Sequence, residues 1–599
     1  MGNRSSNDDF SEFEAAKAKG LEAALAFYEA HVRPPAERAN ASEEARERRA
    51  IAAADLTDAI AQERGPSAAR SFYDEELRAP SLRPGAGDAL RIGCAVAAAN
   101  LAVDLAKSES FETLFAFYKD ELKGPAEKTG ASDDVRAARA RAAVVVAAEV
   151  AKKERIDAAR AFYDSELKEP AERAEAPQGV RASRAAAALN FTLWLINTKG
   201  LYTARTFYES ELKLPAEQTG APVEAHTNRA IAAVDILHGI LELKGPDAAR
   251  PFYDSELKAP ADHKNSLIEI RTRRAAAAFE MCESILKSAG PAQARPFYES
   301  ELSVPAEQPD APPQVRIQRA MAAAEIANAI ADSDGPAEAR GFYDSELKAP
   351  AERENAPAEL RVHRAIAAFD LLVDLSVREG LQAAQAFYVS ELKIPADRDD
   401  APFTVRGRRA AGALNLFVDF NKVAPPQALF AFYDSELRMP AERPDAPDDV
   451  RIGRAKVAVQ LAARIANGRG LDAARAFYDS ELKAPASRPE APAAIRAQRA
   501  FAAFNITLWL SKAKGLDATR AFYEEELKAP AEGGSAPKEA CVRRVLAAAN
   551  LASAIAAASG QQAALAFYER EIREPSEAAG APEELAAINQ NVRTKLGLG

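Results

Sequence analysis

The chain has 599 residues, 48% of them apolar and 28% charged, with a net charge of −11. That balance is ordinary for a folded soluble protein and counts against a surface that follows nucleic-acid phosphates along its whole length. The three cysteines, Cys94, Cys282 and Cys541, share no CxxC spacing, which argues against a disulfide framework or zinc site and for an intracellular, cytoplasmic setting. No window approaches 18 continuous apolar residues, so no membrane span is expected.

The N-terminus reads Met1-Gly2-Asn3-Arg4-Ser5-Ser6. It matches the M-G-x-x-x-[ST] pattern and makes Gly2 a lipidation candidate: myristoylation there would add membrane association. The plainer reading is a polar, disordered segment over 1–11. From residue 12 to 599 one period governs the chain. Tyr28, Tyr73, Tyr118 and so on to Tyr568 recur every 45 residues, thirteen times, each after a Phe and each seven residues before a Pro. A fixed period of this length marks a stacked repeat architecture.

Gly470 to Lys514 shows the unit. Gly470 closes the preceding helix. Leu471 to Lys483 reads as a short helix A, with Ala474, Phe477, Tyr478 and Leu482 at helical spacing, and Pro485 is expected to stop it. Helix B is expected from about Ala493 to Lys512, with Ile495, Ala502, Ala503, Ile506 and Leu510 as its buried stripe. No strand signal occurs. The expected fold is all-α: a single, elongated, right-handed α-solenoid of thirteen two-helix repeats, the last a truncated cap. A small residue recurs in helix B, as at Ala322 and Ala367, and Gly412 replaces it once. The ends differ: His31 stands where later repeats carry Glu, and Asn589 where they carry Arg.

Helix B of one repeat begins Asp448-Asp449-Val450-Arg451-Ile452-Gly453-Arg454-Ala455. That start and the repeat length resemble the HEAT and armadillo class of helical repeats. The Phe-Tyr-Asp-Ser-Glu-Leu-Lys-x-Pro block fits no named pattern.

Three constellations stand out. An Arg recurs in eleven B helices, Arg49 and then Arg139 to Arg544, and a Glu follows the Tyr by three residues from Glu76 to Glu571. Both fall inside apolar stripes, where unpaired charge is costly, so they are expected to pair and fix the stacking register. Cys94 replaces the Arg in the second repeat, and Glu76 is expected to find another donor.

The second constellation is a polar ladder 27 residues after each Tyr: Asp55, Asn100, Asn190, Asp235, Glu280, Glu325, Asp370, Asn415, Gln460, Asn505 and Asn550, with Val145 the exception. Asn and Asp are mediocre inside helices, so their recurrence needs a reason. Four residues on, a column varies, including Asp104, Glu149, Trp194, Asp374, Asp419, Arg464 and Trp509. The class resemblance implies that an Asn ladder holds an extended peptide by its backbone, a role that would fall on Asn100, Asn190, Asn415, Asn505 and Asn550. Hydrogen bonding between repeats explains the same ladder equally well.

The third is the tryptophan pair. Asn190-Phe-Thr-Leu-Trp194-Leu and Asn505-Ile-Thr-Leu-Trp509-Leu lie seven periods apart, and the closing Gly is lost at both Ser110 and Pro425. A seven-repeat block is therefore read as duplicated. A Trp on a variable column is either a binding anchor or a buried core residue.

No nucleotide, protease or hydrolase motif is present, and the histidines share no ligand spacing. The expected function is a non-enzymatic scaffold that presents the helix B face to a protein or extended peptide, with no cofactor, metal or small-molecule substrate. The alternatives are a modular reader of single-stranded RNA and a purely architectural, self-assembling solenoid.

Overall fold

The Phe-Tyr block builds a helix that widens instead of stopping. In a computed structural model, described over residues 6–38, 40–83, 85–152, 156–532 and 536–597, helix A begins as Leu471–Tyr478 in the reference repeat. It widens into a π-type turn at Asp479–Lys483 and resumes as Ala484–Ala486. The Ala484 N–H bonds to the Asp479 carbonyl, five residues back. Pro485 therefore does not end helix A. A proline ring collides with the carbonyl four residues before it and offers no N–H, and the wider turn relieves that conflict. Ser480 donates to the Phe477 carbonyl at 3.2 Å, and Ser255, Ser300, Ser345 and Ser390 repeat this bond. The Asp-Ser-Glu-Leu-Lys-x-Pro string thus encodes one local device, a π-turn tied by serine and followed by proline.

Helix B follows as Ala493–Ala513, started by Pro492 as its extended cap. Where Gly470 closes the preceding B helix its φ is +87°, a conformation that favours glycine. At Ser110 the chain uses another solution: the Ser110 hydroxyl accepts the Thr113 N–H at 3.2 Å. The described residues contain helices, turns and no strand.

The chain divides into two compact units, Met1–Ile285 and Leu286–Gly599, the division falling inside the B helix Ile268–Ala289. Within each unit, successive B helices pack on one another in chain order and on the A helix that follows each of them. Each unit is a helical solenoid. The last B helix is short, Glu584–Lys595, against 22 residues in the repeat before it.

At the N-terminus the chain is helical over Ser6–Lys17, which departs from the disorder expected for residues 6–11. Gly2 lies outside the described residues. The helices Asp88–Ser108 and Lys538–Ser559 are long and apolar enough to cross a membrane by length and composition. Here each packs against neighbouring helices of its own unit, with buried stripes of Ala and Leu.

The small-residue column lets the helices approach closely. Ala367 is fully buried and Ala322 nearly so. A methyl group on Gly412 would come within 2.8 Å of Leu392 Cδ1 and 3.0 Å of Leu372 Cδ2. Ala322→Leu is therefore expected to lower stability by roughly 1–3 kcal/mol through overpacking. Urea denaturation followed by circular dichroism measures this, and an unchanged midpoint would show the seam to be slack.

Candidate binding face on the B helices

The charged ladder runs between repeats, always in one direction. Tyr163 donates to Glu211 Oε2 of the next repeat at 3.0 Å, and Arg184 Nη2 donates to the same oxygen at 2.9 Å. Lys168 Nζ reaches Glu211 Oε1 at 2.7 Å, and Arg184 also meets Glu172 of its own repeat at 3.2 Å. In the second unit the set recurs as Tyr343, Arg364 and Lys348 around Glu391, at 3.0, 2.8 and 2.5 Å. Ladder tyrosines in both units also pack on the Phe of the next repeat, as Tyr28 does on Phe72 and Tyr343 on Phe387, each with centroids 5.9 Å apart.

Burial alone would raise the Glu211 carboxyl, but Lys168 and Arg184 more than reverse it and bring its pKa to about 2. Burial, reinforced by the Glu256 carboxylate, pushes the Tyr208 hydroxyl well up.

This direction explains both ends. The first repeat has no predecessor whose Tyr needs an acceptor, and it carries His31 at the Glu position. The last Tyr has no following Glu, and Tyr568 donates instead to Asn589 Oδ1 at 2.5 Å. It also corrects the expectation for Cys94. Glu76 keeps its full set, Tyr28 at 2.6 Å and Arg49 at 2.9 Å. The carboxylate without a B-helix Arg is Glu121, because the pairing crosses to the next repeat.

The polar ladder divides into two kinds of position. Asn100 donates to Asp58 of the preceding repeat at 2.8 Å, Asp370 accepts from Asn328 at 3.1 Å, and Glu280 meets His238 Nδ1 at 3.3 Å. Asp55 takes Lys17 Nζ at 2.8 Å. These residues join helices. Burial raises the Asp370 carboxyl, and the Asn328 amide partly offsets it. Asn550 is exposed and donates to Leu546 O in its own helix at 3.1 Å. Asp235 and Glu325 are exposed.

Among the described residues, Asn190, Asn415, Gln460 and Asn505 have no side-chain hydrogen bond. The sequence carries the reason. A bonded ladder residue follows a polar residue 30 positions after the previous Tyr: Asp58, His238 or Asn328. The four unbonded amides follow Ala148, Val373, Val418 and Ala463, which offer nothing to bond. That second column was not singled out in the sequence, although its alternation of polar and apolar residues is visible there.

The variable column is mixed as well. Asp104 and Asp419 pair with Lys107 and Lys422 one turn on, at 2.9 and 2.8 Å, and Glu149 pairs with Lys152. Asp419 also accepts from Ser376 of the preceding repeat at 2.6 Å. Arg464 turns back into the fold and binds Asn421 Oδ1 at 2.7 Å and the Ala424 carbonyl at 3.2 Å, bracing the turn where Pro425 replaces glycine. Asp374, Trp194 and Trp509 are half-buried. The duplicated helices match in detail: Thr192 and Thr507, both buried, donate to Ala188 and Ala503 at 2.8 Å. No group of three or more metal-ligating side chains occurs among the described residues.

No protein-family model and no curated protein matches the sequence. Among solved structures, yeast importin-β (Kap95p) aligns over 97% of this chain and 80% of its own, with 12% identity and a TM-score of 0.46. The Kap95:Nup1 complex aligns over 96% and 74%, at 12% identity and a TM-score of 0.44. Kap121p bound to Pho4p aligns over 98% and 61%, at 13% identity and 0.33. The assignment to a helical-repeat solenoid rests on the helix packing of the chain itself.

Proposed function

We propose that this protein is a non-enzymatic scaffold whose B helices hold an extended peptide segment of a protein partner. The observation that carries the reading is the run Asn415, Gln460 and Asn505. These are three amides in consecutive repeats, unbonded among the described residues and flanked by Val373, Val418 and Ala463, with half-buried Trp509 one turn beyond the last. An amide offers both a donor and an acceptor, as a peptide backbone requires. Packed helices stand about 10 Å apart, and an extended chain rises about 3.3 Å per residue, so one amide falls at every third peptide residue. Asn190 beside Trp194 repeats the last element of this array in the other unit. The bonded positions Asn100, Glu280 and Asp370 serve stacking, which narrows the proposed site to the unbonded amides and the two tryptophans.

The combined Asn415→Ala, Gln460→Ala and Asn505→Ala variant is expected to keep its stability within about 0.5 kcal/mol, because no bond inside the chain is lost. Affinity capture should nevertheless lose the partners that the unaltered protein retains. Asn100→Ala should do the reverse, costing about 1 kcal/mol with capture unchanged. Identical partner sets from the triple variant and the unaltered protein would sink the reading, as would a triple variant no longer folded like the parent.

A further inference from the structure

The second repeat lacks two members of the charged ladder at once. Cys94 stands in place of the B-helix Arg, and Leu82 in place of the acid that braces this Arg within its own repeat, as Glu172 braces Arg184. The rest of the site is intact. Tyr73 donates to Glu121 Oε2 at 3.0 Å, and Arg78 Nε meets Glu121 Oε1 at 2.7 Å, in the place Lys168 takes on Glu211. Elsewhere the second oxygen of this Glu receives both the Tyr hydroxyl and an Arg Nη2, as Glu211 does. On Glu121 it receives the tyrosine alone, although the side chain is only 10% exposed. The space is open too. The groove over Cys94, Glu121 and Val135 has a volume of about 620 Å³, while the equivalent grooves that hold Arg184 and Arg544 measure about 220 and 430 Å³.

We propose that this groove is a binding pocket for a guanidinium group supplied from outside the chain. The sibling repeats show what the site is built to hold: a planar guanidinium between the Tyr hydroxyl and the Glu carboxylate, in the arrangement of Arg184 on Tyr163 and Glu211. A carboxylate with spare acceptor capacity in a partly dry cavity favours a fork of N–H donors over a compact ammonium. The same cavity is lined by the exposed Arg83, Arg91 and Lys128 and by Asp88 and Asp120, with Arg91 3.7 Å from Asp88. Arg83 and Lys128 can meet negative charge on the body of the ligand beyond the guanidinium, as in free arginine with its carboxylate or an arginine side chain in an acidic peptide. Leu82, 64% exposed, offers an apolar wall for the methylene stem. The Cys94 thiol sits 3.2 Å from the Tyr73 hydroxyl as a small space-maker, and burial raises its pKa, so no thiolate chemistry is invoked. The inference stands on the ladder and is independent of the amide face.

The test is calorimetric titration of the full chain with L-arginine, citrulline and an acetylated acidic peptide containing one internal arginine. The unaltered protein and Cys94→Ala are expected to bind L-arginine saturably with a Kd on the order of 1 mM. Citrulline, a neutral isostere, should not bind. Cys94→Arg should fill the pocket from within, raise the thermal midpoint and weaken binding at least tenfold. Tighter binding of the peptide than of L-arginine assigns a protein arginine as the source, and weaker binding assigns a free guanidino compound; either order keeps the pocket. Absence of saturable binding to the unaltered protein, or equal binding by a folded Cys94→Arg, overturns the proposal.

Discussion

Glu391→Ala is expected to destabilise the second unit by about 3–5 kcal/mol, the cost of breaking a buried ion pair from one side. Arg364 is 5% exposed and Glu391 1%. Removing the carboxylate takes away the acceptor on which the guanidinium, the Lys348 ammonium and the Tyr343 hydroxyl converge, and leaves Arg364 with the exposed Glu352 at 3.2 Å as its remaining anion. Arg319→Ala should cost less, about 2 kcal/mol, because Glu346 keeps Tyr298 and Ser303 and is less deeply buried. In a solenoid each interface couples only neighbours, so the loss should appear as an earlier, less cooperative urea transition. A cost for Glu391→Ala below about 0.5 kcal/mol, the value of a surface pair, would show that the ladder does not hold the repeats in register.

The second large effect is a bounded pH window. Glu211 and Glu571 fall from an ordinary 4.5 to about 2. Burial opposes the fall at both, and their lysine and arginine donors overcome it. Glu166, Glu256, Glu391 and Glu526 are shifted in the same direction. A carboxylate with a folded pKa below its unfolded one contributes stability that is fully present above the unfolded value and disappears as pH falls through the folded one. A fall from 4.5 to about 2 corresponds to roughly 3 kcal/mol per carboxylate. The ladder tyrosines shift upward, chiefly through burial, as at Tyr208, Tyr343 and Tyr478. Their folded state holds the proton more tightly, so their contribution is present below an unfolded pKa of about 10 and is lost as pH rises beyond it. The ladder's contribution should therefore be level in the middle range, fall below about 4.5 toward 2 and fall again above about 10. Thermal midpoints across that range check the shape. A midpoint unchanged between neutral pH and pH 3 would contradict the ladder's charge state.

Period and hairpin were legible in the sequence because both are local: the proline, the closing glycine and the helical spacing of apolar residues act within a few residues of themselves. The pairing of Arg with Glu was also legible, since two charges inside apolar stripes have no other inexpensive arrangement. Tertiary packing alone decided the direction of that pairing, and with it why His31 and Asn589 break the pattern and why Cys94 strips Glu121 and not Glu76. A 45-residue period places Tyr and Glu at the same phase in every repeat, so it cannot distinguish a partner in the same unit from one in the next.

The π-turn was hidden for a different reason. Pro485 reads as a stop because its ring cannot fit a regular α-turn, and only the structure shows the helix widening around it. The amide ladder shows the same division. Its recurrence was in the sequence, but which amides join helices and which stay unbonded depends on a second residue 42 positions earlier, brought alongside only when one B helix packs on the next.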